Sequence, residues 1–492
     1  MNKGQKLLRI GHRVKLVSIL TILCCLFHFS QAQNTVVSKN VHIDISDDGD
    51  GISKIRQSNG RNSFNIEYKG TITITDDDAD IKSISPGGYL EISKTTFGSK
   101  RTIQIESTSY GLKKEYYEGR KEMPFIPNGK NWLAEILPEV IRSTGIGVES
   151  RVNRFYKNGG VNAVLSEMDK MESNYVKSIY ARALLEKNGL KDSELVKIAE
   201  SLSSDINSDY YLAEVLRKNS HVYLLNPGTE EAYFNAIKHI GSDYYSTVVL
   251  KEALKDNQKS SATVLKIMDA SKNIGSDYYQ MTVLNELLDD NLDEESITAI
   301  VNSSKNIHSD YYQTQLLSKA LKKSNISEES RNIVIDAMAD VNSDYYMASV
   351  FINLLDEKQN EATNLKIISL LENKMSSDYY ASNVLSKMLK TQYLSDKGIE
   401  AIAKATSNLG SSNYASSVIK TASRQNINKK SLLIMLDTAG NIGSSFYASE
   451  ALSALAPVVK KLNDREAFDA YRAAAKNINS DTYYGKAMRA ID

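Results

Sequence analysis

Between Val148 and Asp492 apolar residues return every three or four positions, and the stripes they form come in pairs. After Ser276 one stripe runs Tyr279, Val283, Leu284, Leu287 and Leu288; before it runs another, Val264, Ile267, Ala270 and Ile274. Each is one face of a helix with 3.6 residues per turn. The pair recurs around Ser309, where Ile297, Ile300, Ser303 and Ile307 precede the serine, and the following stripe reappears after Ser343 and Ser377. We call the helix before each serine A and the helix after it B.

Residues 33–122 follow a different period. Val41–Ile45, Phe64–Tyr68, Thr71–Thr75, Tyr89–Ile92 and Thr102–Ile105 are alternating or β-rich, with Gly, Asp and Asn clusters between them. Alternation predicts strands with one buried and one wet face, in a small antiparallel sandwich or meander. A Pro-containing stretch, Met123–Gly129, and a short helix opened by Trp132 are expected to link and dock the two regions, over residues 123–147.

The joints of the helix pairs share four letters. Ser-Asp-Tyr-Tyr stands at Ser208, Ser242, Ser276, Ser309, Ser343 and Ser377, with degraded copies at Ser173, Ser411, Ser444 and Ser480. A period near 34 residues marks a stacked-repeat array. It equals the tetratricopeptide period, yet the Trp, Leu-Gly and terminal Pro marks of those repeats are missing. The expected fold is therefore α+β and multidomain: an N-terminal antiparallel β domain, then an α-solenoid of about ten HEAT-like helix pairs over residues 148–492. The copies from Ser411 onward diverge and read as a capping region.

At each joint the serine is a predicted N-cap for helix B, and the aspartate meets the positive end of its dipole. Asn207, Gly241, Gly275, His308, Asn342, Ser376, Gly410, Gly443 and Asn479 precede the serines. Gly and Asn at most of these places predict a left-handed closure of helix A. Asp293, Ser327, Ser395 and Asn428 are predicted caps of A helices.

The two tyrosines of the motif read differently. The second, exemplified by Tyr279, lies on the apolar stripe and is expected in the core. The first has more polar helical neighbours. Tyr210, Tyr244, Tyr278, Tyr311, Tyr345 and Tyr379 are thus candidates either for wedges between repeats or for a ligand-facing aromatic ladder, suited to a glycan or extended peptide.

Composition removes several classes of function. Lys3, Lys6, Arg9, Arg13 and Lys15 precede the apolar run Leu16–Phe29, and Ser30-Gln31-Ala32 follows. That is the pattern of a secretory signal over residues 1–32, and it places the protein in the periplasm or outside the cell. Cys24 and Cys25 leave with it, so the mature chain has no thiol chemistry. The five basic residues leave too, so 55 basic face 60 acidic residues, a net of −5. No basic stripe serves a nucleic-acid backbone. His-Glu-x-x-His, nucleophile-elbow and phosphate-loop motifs are missing.

Two acidic loops offer oxygen ligands: Asp44, Asp47, Asp48 and Asp50, and then Asp76, Asp77, Asp78 and Asp80. Calcium accepts such loops. Yet the twelfth position from Asp44 is Ile55 rather than a bidentate Glu. Solvated turns are the simpler expectation, with no cofactor.

The segment Gly159–Met168 through Ser173–Lys177, together with the Ser-Asp-Tyr-Tyr copies, resembles poorly characterised bacterial envelope proteins with Ser-Asp-Tyr helical repeats behind a β-rich segment. Such segments also occur attached to BlaR1-like membrane metallopeptidases. The resemblance implies an envelope location and a sensing or docking role. No catalytic residue carries over, because the peptidase zinc motif and membrane helices are missing. The expected function is a non-enzymatic binding scaffold for protein, peptide or glycan. The alternatives are a signalling accessory of a membrane partner and a hydrolase in the β domain.

Overall fold

The computed structural model describes residues 42–47, 52–58, 62–255, 260–289, 292–323 and 326–492, with backbone alone over 42–47. The predicted signal, Asp48 and Asp50 lie outside the described residues, as do the side chains of Asp44 and Asp47. An antiparallel β sheet is followed by a repeating array of helices, giving an α+β protein with an α-solenoid. The chain forms two compact units, Met1–Val215 and Leu216–Asp492.

In the first unit seven strands lie in the order β1 (His42–Asp47), β2 (Ile52–Ser58), β3 (Ser63–Lys69), β6 (Tyr89–Thr96), β7 (Ser99–Thr108), β8 (Gly111–Glu118) and β9 (Lys121–Met123). β4 (Ile72–Ile74) and β5 (Ile81–Ile84) form a separate hairpin. The register places Ile55 opposite Ile66, Ile66 opposite Ile92, Ile92 opposite Ile103 and Ile103 opposite Tyr116. One apolar row thus crosses five strands, as period-two alternation requires.

The seven strands form the expected meander rather than a sandwich, and the core behind that row is completed by the β4–β5 hairpin and by a helix. The helix expected around Trp132 is there and runs 15 residues, α1 (Lys130–Thr144). Trp132, Leu133, Ile136, Leu137, Val140 and Ile141 are buried in one core with the strands. Their spacing is a single helical face, and each fully buried Leu, Ile or Val contributes about 1.5–3 kcal/mol. Tyr116 meets Trp132 with ring centroids 5.8 Å apart. Burial, then a hydrogen bond to Glu118, pushes the Tyr116 phenol up to about 12. The next helix, Val148–Met168, is broken at Gly159 and Gly160. Helices Asn174–Leu185 and Asp192–Asp205 complete the packing before the helix that holds the unit boundary.

In the second unit each A helix packs on the A helix of the next repeat, and each B helix on the next B. Ser261–Ser271, Glu294–Ser303, Glu328–Ala337 and Glu361–Lys374 are A helices; Asp277–Leu287, Asp310–Leu321, Asp344–Leu354 and Asp378–Thr391 are B helices. Val283, Leu284, Leu287 and Leu288 are buried, as are Val264, Ile267, Ala270 and Ile274. One pair has too few such side chains to hide its own apolar face, so neighbours complete the core. All four predicted A-helix caps form: Asp293, Ser327, Ser395 and Asn428 accept from the N–H three residues on.

The A-to-B joint departs from expectation. None of the residues preceding the serines adopts positive φ. Helix A ends instead in a tight turn, where Ile274, Ile307 and Val341 donate to carbonyls three residues back. From Ser242 onward each of these serines occupies the N-cap in extended conformation, with φ −85° at both Ser242 and Ser276. Its hydroxyl accepts from the N–H three residues on at Ser173, Ser242 and Ser343, over 3.4–3.5 Å.

Candidate functional site

The motif aspartate explains the extended joint. Asp243 accepts from the backbone N–H of Gly275 at 3.0 Å and of Ser276 at 2.8 Å, in the next repeat. Asp277 does the same for His308 and Ser309, at 3.1 and 2.8 Å. Asp344 takes Ser376 and Ser377, and Asp378 takes Gly410 and Ser411. Asp310 accepts from Asn342, and in the first unit Asn174 accepts from Asn207. A left-handed turn residue would aim its N–H elsewhere. The carboxylate therefore sits at its own helix N-terminus, as predicted, and also fastens one repeat to the next.

This fastening fixes the two tyrosines that follow. In each B helix the first ring lies 5.0–5.2 Å from the second, nearly edge to face. The first ring also meets the second ring of the next repeat: Tyr244 with Tyr279 at 6.2 Å, Tyr278 with Tyr312 at 5.8 Å, Tyr311 with Tyr346 at 5.8 Å. Tyr345 with Tyr380 and Tyr379 with Tyr414 continue the chain. Eleven rings from Tyr245 to Tyr414 thus form one zigzag ribbon. Such contacts are favourable aromatic geometries. In the first unit Tyr210 makes the same pair with Tyr211, at 5.0 Å.

The first tyrosines face solvent. Tyr244, Tyr278, Tyr311, Tyr345 and Tyr379 are 45–55% exposed. The second tyrosines are half-buried in these repeats rather than inside the core, although Tyr211 is buried. The core stripe starts one residue later, at Gln280, Gln313, Met347 and Ala381. From Gln280 the steps to Val283, Leu284 and Leu287 are three, four and seven residues, the true helical face. The second tyrosine lies on the edge of that face, flanked by exposed rings.

Of the acidic loops, the one between β4 and β5 is fully described, and its carboxylates are engaged by cations and by the loop itself. Asp78 accepts from Arg151 at 2.6 Å and from Arg154 at 2.7 Å. Asp80 pairs with Lys114. Asp77 accepts from the Thr75 hydroxyl and the Ala79 N–H, which hold its carboxyl below the usual range. Asp76 is exposed. Among the described residues no group of three metal-ligating side chains comes together.

Arg151 is the side chain that inspection of the sequence misses. It is 2% exposed and also bonds Glu167, itself 2% exposed, at 3.0 Å, and Tyr180. Arg142 and Lys170 approach Glu167 as well. Burial alone would raise the Asp78 and Glu167 carboxyls, but hydrogen bonds from these cations outweigh it and both are lowered. A buried arginine leaves no mark in an apolar-periodicity pattern. An open cleft of about 560 Å³ beside the loop is lined by Asp76, Asp77, Asp78, Arg154 and Lys157, among others.

No family model matches the chain, and no curated protein matches it. Two solved structures are similar in part. One is an engineered protein, 14% identical over 73% of this chain and 95% of that one, with a TM-score of 0.23. The other comes from the computational design of self-assembling cyclic homo-oligomers, 16% identical over 70% of this chain and 92% of that one, with a TM-score of 0.10. Scores this low carry no functional inference.

Proposed function

We propose that the protein is a non-enzymatic binding scaffold whose contact surface is the tyrosine ribbon of the helical array. The observation that supports this is the exposure of five tyrosines at one repeat position, each 45–55% open to solvent. Scattered exposed apolar side chains are ordinary, whereas a contiguous aromatic patch marks an interaction surface. Tyrosine offers large contact area at low entropic cost. The ribbon is linear and repetitive, which suits an extended partner: a peptide, a glycan or a protein segment.

The N-terminal Lys/Arg cluster and the apolar run Leu16–Phe29 support export, so the partner is sought in the cell envelope. Among the described residues no helix is long and apolar enough to cross a membrane. The test is crosslinking with mass spectrometry in intact envelopes, comparing the natural chain with a Tyr278→Ala/Tyr311→Ala/Tyr345→Ala variant. Crosslinks clustered on the ribbon and lost in the variant support the scaffold. An identical crosslink map for both chains refutes it.

A further inference from the structure

We infer that the ribbon takes a neutral, unbranched glycan, laid along the row of first tyrosines; this rests on the scaffold function proposed above. Three features of the surface select that chemistry.

The first is charge. In the first three turns of the B helices beginning at Asp243, Asp277, Asp310, Asp344 and Asp378, every charged side chain is already engaged. The aspartates hold backbone N–H groups. Lys251 pairs with Glu286, Glu252 with Lys255, Lys319 with Asp289 and Lys387 with Asp356. An anionic polymer finds no unpaired cation in these turns, and the aspartates, bonded to neutral N–H groups, keep their charge and repel it.

The second is the row beside the rings. Residues four apart on a helix are surface neighbours. Four positions after Tyr278, Tyr311, Tyr345 and Tyr379 stand Thr282, Gln315, Ser349 and Asn383, all partly or fully exposed. Hydroxyl and carboxamide groups both donate and accept hydrogen bonds, although the Thr282 hydroxyl gives its proton to the Tyr278 carbonyl and keeps only its acceptor sites for a ligand. A sugar's hydroxyls use both roles, and its C–H face packs on an aromatic ring. A proline-rich peptide also suits an aromatic groove, but its prolines have no N–H to donate.

The third is repetition. Successive first tyrosines are bridged by one second tyrosine through centroid steps such as 5.8 and 5.1 Å, so they stand at most about 11 Å apart. A chain of identical sugar units presents the same face at each rung, and engaging several rungs at once raises its effective concentration.

The experiment is titration calorimetry of the full chain with soluble β-glucan, α-glucan, α-mannan, β-galactan and chitooligosaccharides, with polygalacturonate and a polyproline peptide as contrasts. A neutral glycan is expected to bind, more tightly as its chain lengthens, with little dependence on salt. Tyr278→Ala, Tyr311→Ala and Tyr345→Ala are each expected to weaken it about fivefold or more. Thr282→Val and Gln315→Leu, which leave the rings in place, are expected to weaken it too. If polyproline binds and no glycan does, the glycan assignment falls while the ribbon stands as a peptide site. If no probe binds, the glycan assignment falls and the envelope crosslinks judge the scaffold separately. If a glycan binds equally well to all three tyrosine variants, the glycan site is not the ribbon.

Discussion

Replacing Asp277 with alanine withdraws the acceptor from two backbone N–H groups of the next repeat, those of His308 and Ser309. Hydrogen bonds to a charged group contribute about 1.5–3 kcal/mol each. The joint is half open, so water replaces part of each bond, leaving about 2 kcal/mol for the pair. The loss is local, because an array couples each repeat mainly to its neighbours. Amide hydrogen exchange followed by mass spectrometry reads it directly. Exchange at His308 and Ser309 is expected to accelerate about thirtyfold in Asp277→Ala, with amides of the β sheet unchanged. Asp277→Asn keeps one acceptor and turns an amide donor toward the other N–H, so about half the effect is expected. Unchanged exchange in both variants would refute the fastening role and leave the aspartate with its helix-dipole role alone.

Three further outcomes are expected. Tyr279→Ala should cost about 1 kcal/mol more than Tyr278→Ala in urea unfolding, because Tyr279 is the more buried of the two and Tyr278 is 50% exposed; equal midpoints contradict that ordering. Gly440→Ala should destabilise by about 1–3 kcal/mol, since the added Cβ would lie 2.8 Å from the Ala474 Cα and Cβ; an unchanged melting temperature refutes the close approach. Arg151→Ala should cost about 3 kcal/mol in the first unit, read from the single Trp132. The Asp78 and Glu167 carboxyls are lowered by their cations, so their contribution is complete above the ordinary carboxylate range near pH 4. It is lost as pH falls through their folded values. The acid transition of Trp132 fluorescence should therefore flatten in Arg151→Ala, and an unaltered acid limb would contradict the pairing.

Much of the array is legible from sequence because its signals are local and repeated. The apolar stripes, the A-helix caps and the serine at each joint depend on neighbours within a dozen residues, and each appears several times. The exposed and half-buried tyrosines differ by one position on a helix, about 100° of rotation. A stripe drawn through Tyr279 instead of Gln280 therefore misplaces the ring by one helical step. The aspartate's second role spans 31–33 residues to the next repeat, and a reading confined to one motif copy sees the helix dipole alone. Its one available sign is that Asn174, where the motif degrades, keeps an acceptor of the same reach. α1 was legible as a helix, and so were β3, β6 and β7 as strands, which supply most of the seven-stranded sheet's side chains in its core; β2, β8 and β9 were not, because they carry charged or broken patterns that hide them. The Arg151 cluster joins Asp78 to a helix more than seventy residues away, and nothing in the local sequence announces it.

The claim that the tyrosine ribbon is a working surface is tested most directly by hydroxyl-radical footprinting of the chain alone and in the presence of solubilised cell-envelope extract. Coherent protection of Tyr278, Tyr311, Tyr345 and Tyr379 is the expected result. Protection confined to the Asp76–Asn158 cleft, with those four rings as reactive as in the free chain, would contradict it.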